Sequence, residues 1–106
     1  MRQIAVVAVV AGLAWTPMSQ AQDAAKAEAT IKSSGCLKCH SVSADKDGPS
    51  YKKVAAKYKG KGDAAAKLEG ELKAGMMKVD GKDTKHATVK GSADDLKNVV
   101  AYILSR

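Results

Sequence analysis

The chain contains no phenylalanine, one tryptophan and three tyrosines in 106 residues. Large rings normally supply much of a core, and Trp15, the one tryptophan, lies in the leading segment. The remainder has three tyrosines and scattered aliphatics with which to build an interior, so it needs reinforcement from outside its own side chains. No stretch alternates apolar and polar residues as a strand does, and no internal repeat is present. No basic, aromatic-studded motif occurs, which argues against nucleic acid as a partner. The one long apolar run, Ile4 to Trp15, is too short and wrongly flanked for a stable membrane span.

That run has the grammar of an export signal. Met1-Arg2 gives the positive start and Ser19-Gln20-Ala21 a small-x-small cleavage site. We expect a signal peptide over 1–21, cut after Ala21, with a retained anchor as the alternative. The mature domain, 22–106, is then 85 residues long, and without Arg2 it holds 17 basic and 11 acidic residues, a net charge of +6. Such a surface favours acidic partners.

The element pattern is helical. Asp23 to Ser33 is rich in Ala, Lys and Glu and stops at Gly35. After the turn pair Gly48-Pro49, Tyr51, Val54, Ala55 and Tyr58 recur at helical spacing in the segment Tyr51 to Lys59. Asp63 is placed to cap a third helix, Ala64 to Lys73, which Gly75 ends. Met76 to Gly91 shows no sustained period and reads as a long ordered loop. Ser92-Ala93-Asp94-Asp95 resembles a capping box, and Leu96, Val99, Val100 and Ile103 then fall on one stripe of a final helix.

Cysteine occurs twice, in Cys36-Leu37-Lys38-Cys39-His40. Thiols at this spacing can add to the two vinyl groups of one haem while the adjacent imidazole binds its iron. A disulfide or thiol-redox pair is the plain alternative in an exported chain, but it normally accompanies alternating strands and helices. Two Cys and two His would also complete a zinc tetrahedron, although the adjacency of Cys39 and His40 departs from usual spacing.

From Ala24 to Arg106 the chain resembles a class I cytochrome c of the small bacterial c551/c552 type. The resemblance is carried by Gly35 to His40, by Gly48-Pro49-Ser50-Tyr51-Lys52-Lys53-Val54-Ala55-Ala56-Lys57-Tyr58, and by Ser92 to Ser105. It implies an all-α fold of about four short helices around one covalently attached haem c, a periplasmic location, and one-electron transfer between redox proteins by a monomer that is not an enzyme. It also implies that the Pro49 carbonyl accepts from the His40 ring, and that Ile31 and Tyr102 meet where the first and last helices cross. The family's distal Met and its neighbouring prolines are missing. Counting back from Ser92, His86 takes that position, with Met77 or Met76 as alternatives. A His40/His86 pair would make the protein a bis-histidine variant similar to the monohaem shuttles of iron-oxidising bacteria. Lys52, Lys53, Lys57, Lys59, Lys78, Lys82, Lys85 and Lys90 fall in segments that the resemblance brings near the haem, where they would attract acidic partners. A haem-based ligand sensor or peroxidase-like protein, with a displaceable distal ligand, is the alternative function.

Overall fold

The computed structural model describes residues 23–106, besides Gly12. The export signal expected over 1–21 therefore lies outside the described residues. Four helices, α1 (Ala24–Ser33), α2 (Tyr51–Tyr58), α3 (Ala64–Ala74) and α4 (Ala93–Leu104), are joined by a 3-10 turn at Cys36–Lys38 and a hairpin of β1 (Met76–Val79) and β2 (Lys82–Lys85).

Helix α4 organises the rest. Ser92 Oγ accepts the Asp95 amide at 3.1 Å and Asp95 Oδ2 accepts the Ser92 amide at 3.0 Å, which closes the expected capping box. These Ser92 bonds, with Lys26 at 3.3 Å, hold the Asp95 carboxyl below its ordinary value. The stripe then divides between two neighbours. Val99, Tyr102 and Ile103 pack with Ala27 and Ile31 of α1 and with Tyr51, whereas Val100 packs with Leu68 and Leu72 of α3. Ile31 and Tyr102 thus meet at the α1–α4 crossing as expected. Truncating Ile31 to alanine would cost about 2–5 kcal/mol through lost burial and the cavity left behind. Polar ends lock the crossing. Asn98 Nδ2 donates to the Asp23 carbonyl at 2.9 Å, and the Tyr102 hydroxyl donates to Glu28 at 3.1 Å.

Two local expectations are corrected. Asp63 occupies the N-cap of α3 but caps nothing with its side chain, because its backbone (φ −94°, ψ −1°) is already near-helical rather than extended. Met76 to Gly91 is not wholly loop, since β1 and β2 pair antiparallel with Val79 opposite Lys82. The two-residue connection Asp80-Gly81 has φ 51° and 78°, the positive pair required by a type I′ turn, whose twist suits a hairpin. Four-residue strands whose side chains are exposed apart from half-buried Met77 offer no apolar alternation to detect. No helix among the described residues is long and apolar enough to cross a membrane.

Candidate haem site

Gly35, at φ 76°, ends α1 in a left-handed step that a side chain would strain, and the chain turns directly into the 3-10 segment. The amides of Cys39 and His40 return to the Cys36 carbonyl at 3.2 and 3.0 Å. This turn gathers both thiols and the imidazole. Both cysteines are free, Cys36 half-buried and Cys39 exposed. Among the described residues no group of three His, Cys, Asp or Glu side chains converges to hold a metal ion, so the zinc tetrahedron does not assemble.

The segment after the motif acts as a clamp on His40. The Gly48 amide donates to the Cys39 carbonyl at 2.7 Å and the Tyr51 amide to the Ser41 carbonyl at 2.9 Å. Asp45 fastens the far side, accepting from the Lys53 ammonium at 2.8 Å and from the Ser50 amide at 2.9 Å. Those two partners, Lys53 first, keep its carboxyl below the usual range. Within the clamp the Pro49 carbonyl lies 2.6 Å from His40 Nδ1. A carbonyl only accepts, so Nδ1 carries the proton and Nε2 keeps its lone pair.

Two contacts here were not anticipated. Tyr51 stacks on the His40 ring, with centroids 5.6 Å apart and planes at 25°. Its hydroxyl is buried without a full hydrogen-bond partner and faces the Cys36 thiol, which is a weak one. Burial raises both groups above their ordinary values. Gly48 comes so close that a Cβ there would stand 2.5 Å from His40 Cε1. The helical spacing of Tyr51 and the turn signal of Gly48-Pro49 were legible, but not that both residues press on one imidazole.

His86 follows directly on β2. Its amide donates to the Gly75 carbonyl at 2.8 Å. Gly75, at φ 71°, holds a backbone that a side chain would strain, and a Cβ there would stand 3.1 Å from the His86 carbonyl oxygen. Beyond it, Val89 packs against both core clusters, and buried Ser34 accepts the Lys90 amide at 2.9 Å. His86 Nδ1 lies 2.7 Å from the Ala87 carbonyl, so this ring too keeps its Nε2 lone pair free. The two imidazole centroids are 6.0 Å apart, with planes at 39°. The alternative distal residues go elsewhere. Met77 packs on the Leu68–Leu72–Val100 cluster and Met76 is 40% exposed.

The exposed large hydrophobic residues among those described are Leu37, Val42, Met76 and Val79. Two flank His40 in sequence, and two lie in the hairpin leading to His86. Apolar surface, paired thiols and an imidazole with a free Nε2 suit a flat, largely apolar macrocycle bearing a central metal. The lysines are dispersed. Lys53 pairs with Asp45 and Lys78 with Asp83, whereas Lys52 and Lys59 line a cleft that includes neither histidine.

A four-helix frame with a Cys-x-x-Cys-His turn between its first two helices is the architecture of a class I cytochrome c. Residues 16–106 match the family model for cytochrome c, and the chain belongs to that family. It is 37% identical over 92 residues to cytochrome c-551 of Allochromatium vinosum, covering 87% of this chain and 98% of the relative. With cytochrome c-552 of Nitrosomonas europaea it shares 38% over 82 residues, 76% of this chain and 80% of the relative. Among solved structures, the class 1 cytochrome MtoD of Sideroxydans lithotrophicus ES-1 superposes with a TM-score of 0.71 at 45% identity, covering 80% of this chain and 97% of that one. The protein is accordingly a small class I c-type cytochrome, an electron carrier whose family binds one covalently attached haem c.

Proposed function

We propose that Cys36 and Cys39 hold the haem through thioether bonds, that His40 and His86 are the two axial ligands of its iron, and that the protein shuttles single electrons between redox partners in the periplasm. The observation that carries the ligand assignment is the spacing of the two imidazoles. Two metal–nitrogen bonds of about 2 Å, and about 1.1 Å from each nitrogen to its ring centre, require centroids about 6.2 Å apart. The separation found is 6.0 Å. Each ring has its Nδ1 proton tied to a main-chain carbonyl, which fixes the tautomer and leaves Nε2 as the basic nitrogen.

Bound between these residues, haem c supplies a ferric/ferrous couple. The chain does the rest. The Pro49 and Ala87 carbonyls orient the two rings, Tyr51 backs His40 on one face, and the exposed apolar residues shield the macrocycle edge from water. Two protein ligands leave iron no vacant position, which favours electron carriage over substrate turnover or ligand sensing. Imidazole in place of thioether also favours the ferric state, giving a lower potential than a His/Met relative of similar burial. Export by a cleaved signal at 1–21, a monomeric state and redox partners with acidic docking surfaces complete the reading, which suits a shuttle of the kind found in iron-oxidising bacteria.

A visible and near-infrared spectrum of protein made with haem-maturation machinery tests it. A low-spin spectrum without the Met-to-ferric-iron charge-transfer band, and no carbon monoxide binding by the reduced protein at neutral pH, is expected. That band would overturn His86 as ligand, and ready carbon monoxide binding would overturn the closed site.

A further inference from the structure

A cleft of about 690 Å³ opens where α2, the α2–α3 connection and the end of α4 meet. Its lining contains none of Cys36, Cys39, His40 and His86. The walls combine two chemistries. Ala55, Ala64 and Leu104 give it an apolar floor, while Lys52, Lys59, Lys61 and Arg106 bring positive charge to the same cavity. Tyr58, also in the lining, has the ammonium groups of Lys57, Lys61 and Lys67 at 5.4, 5.8 and 6.0 Å from its ring centroid.

Like charges crowded in this way repel one another, and aromatic faces offset only part of that cost. Carboxylates of the chain do not answer them. The ion pairs among the described residues are Lys26–Asp95, Lys53–Asp45 and Lys78–Asp83, none of which involves a cleft residue. Asp63, the one acid of the connection, is exposed, and Arg106 spends its donors on the Tyr102 carbonyl and the Ser105 hydroxyl.

We infer that this cleft is a docking site for an acidic segment of a partner protein, separate from the haem-bearing face. An apolar floor beneath a cationic rim fits a peptide in which carboxylates alternate with aliphatic side chains. A small inorganic anion would gain nothing from the floor, and a flat bilayer cannot reach into a concavity. A partner held here leaves the haem edge free, so one protein can stay tethered while the carrier turns its redox face to another. That the segment belongs to a redox protein rests on the electron-carrier reading, whereas occupancy of the cleft is read without it.

The test uses the reduced, haem-loaded protein and a synthetic peptide of alternating Glu and Leu, followed by amide NMR. Shifts concentrated at Tyr58, Gly60, Gly62 and Leu104 are expected, and they should fade as salt rises. The double variant K59Q/K61Q, at exposed positions, should bind about tenfold more weakly with its visible spectrum unchanged. The control K78Q/K82Q should bind as the parent does. Shifts centred around His40 and His86, equal loss in the control, or the same amides responding to pyrophosphate or to phosphatidylglycerol vesicles but not to the peptide would each overturn the assignment.

Discussion

Replacing Gly48 with alanine adds one methyl group and should damage the site more than many larger changes. The added Cβ would lie 2.5 Å from His40 Cε1, 2.9 Å from Nδ1 and 3.0 Å from Nε2. Carbon atoms rest comfortably at about 3.5–4.0 Å, so the ring must withdraw by about 1 Å. It has nowhere to go. Tyr51 stacks on it with centroids 5.6 Å apart, and the Pro49 carbonyl grips Nδ1 at 2.6 Å. Gly48 is not among the residues with positive φ, so the effect is purely steric. Overpacking of about 1–3 kcal/mol, joined by a lost hydrogen bond of about 0.5–1.5, gives a destabilisation of about 1.5–4.5 kcal/mol. Chemical denaturation of the haem-loaded variant should show that loss as a lower midpoint, and its ferric spectrum should acquire high-spin character as His40 is displaced. Parental stability together with a purely low-spin spectrum would refute the argument that Gly48 sets the ring position.

Gly70→Ala is the counterpart. This glycine sits inside α3 with open space around its Cβ position, so calorimetry should show a gain of about 0.5–1 kcal/mol. His86→Met should introduce the near-infrared thioether band and raise the reduction potential measured by voltammetry. Stability should also fall in acid by an amount that Asp95→Asn lessens. The Asp95 carboxyl is depressed below its ordinary 3.8 by Ser92, so its contribution is complete above that value and is lost as pH drops through the lower folded one. Denaturation midpoints followed from pH 5 downwards, to about pH 2, would read this difference.

What the sequence could reveal depended on how local each cause was. The α4 stripe and its capping box involve residues within one or two turns, and both form as expected. The Asp80-Gly81 pair was equally local, yet the hairpin went unread because its strands are short and polar and lack the apolar alternation that marks a strand. Asp63 shows the converse. Its identity suits a cap, but a cap also needs extended backbone, which a side chain does not announce. For the site, the motif fixed Cys36, Cys39 and His40 as candidates, and the count back from Ser92 singled out His86 over the methionines. The pressure of Gly48 and Tyr51 on His40, and the tethering of the His86 loop by Ser34, arise only when distant segments pack, so periodicity carried no trace of them.

Both imidazoles are secured by main-chain carbonyls, Pro49 for His40 and Ala87 for His86. A carboxylate in that place could take up a proton as the neighbouring metal changed charge, whereas an amide oxygen does not titrate in water. Under the proposed ligation, the carbonyls that hold the two rings therefore contribute no proton uptake when the haem gains an electron.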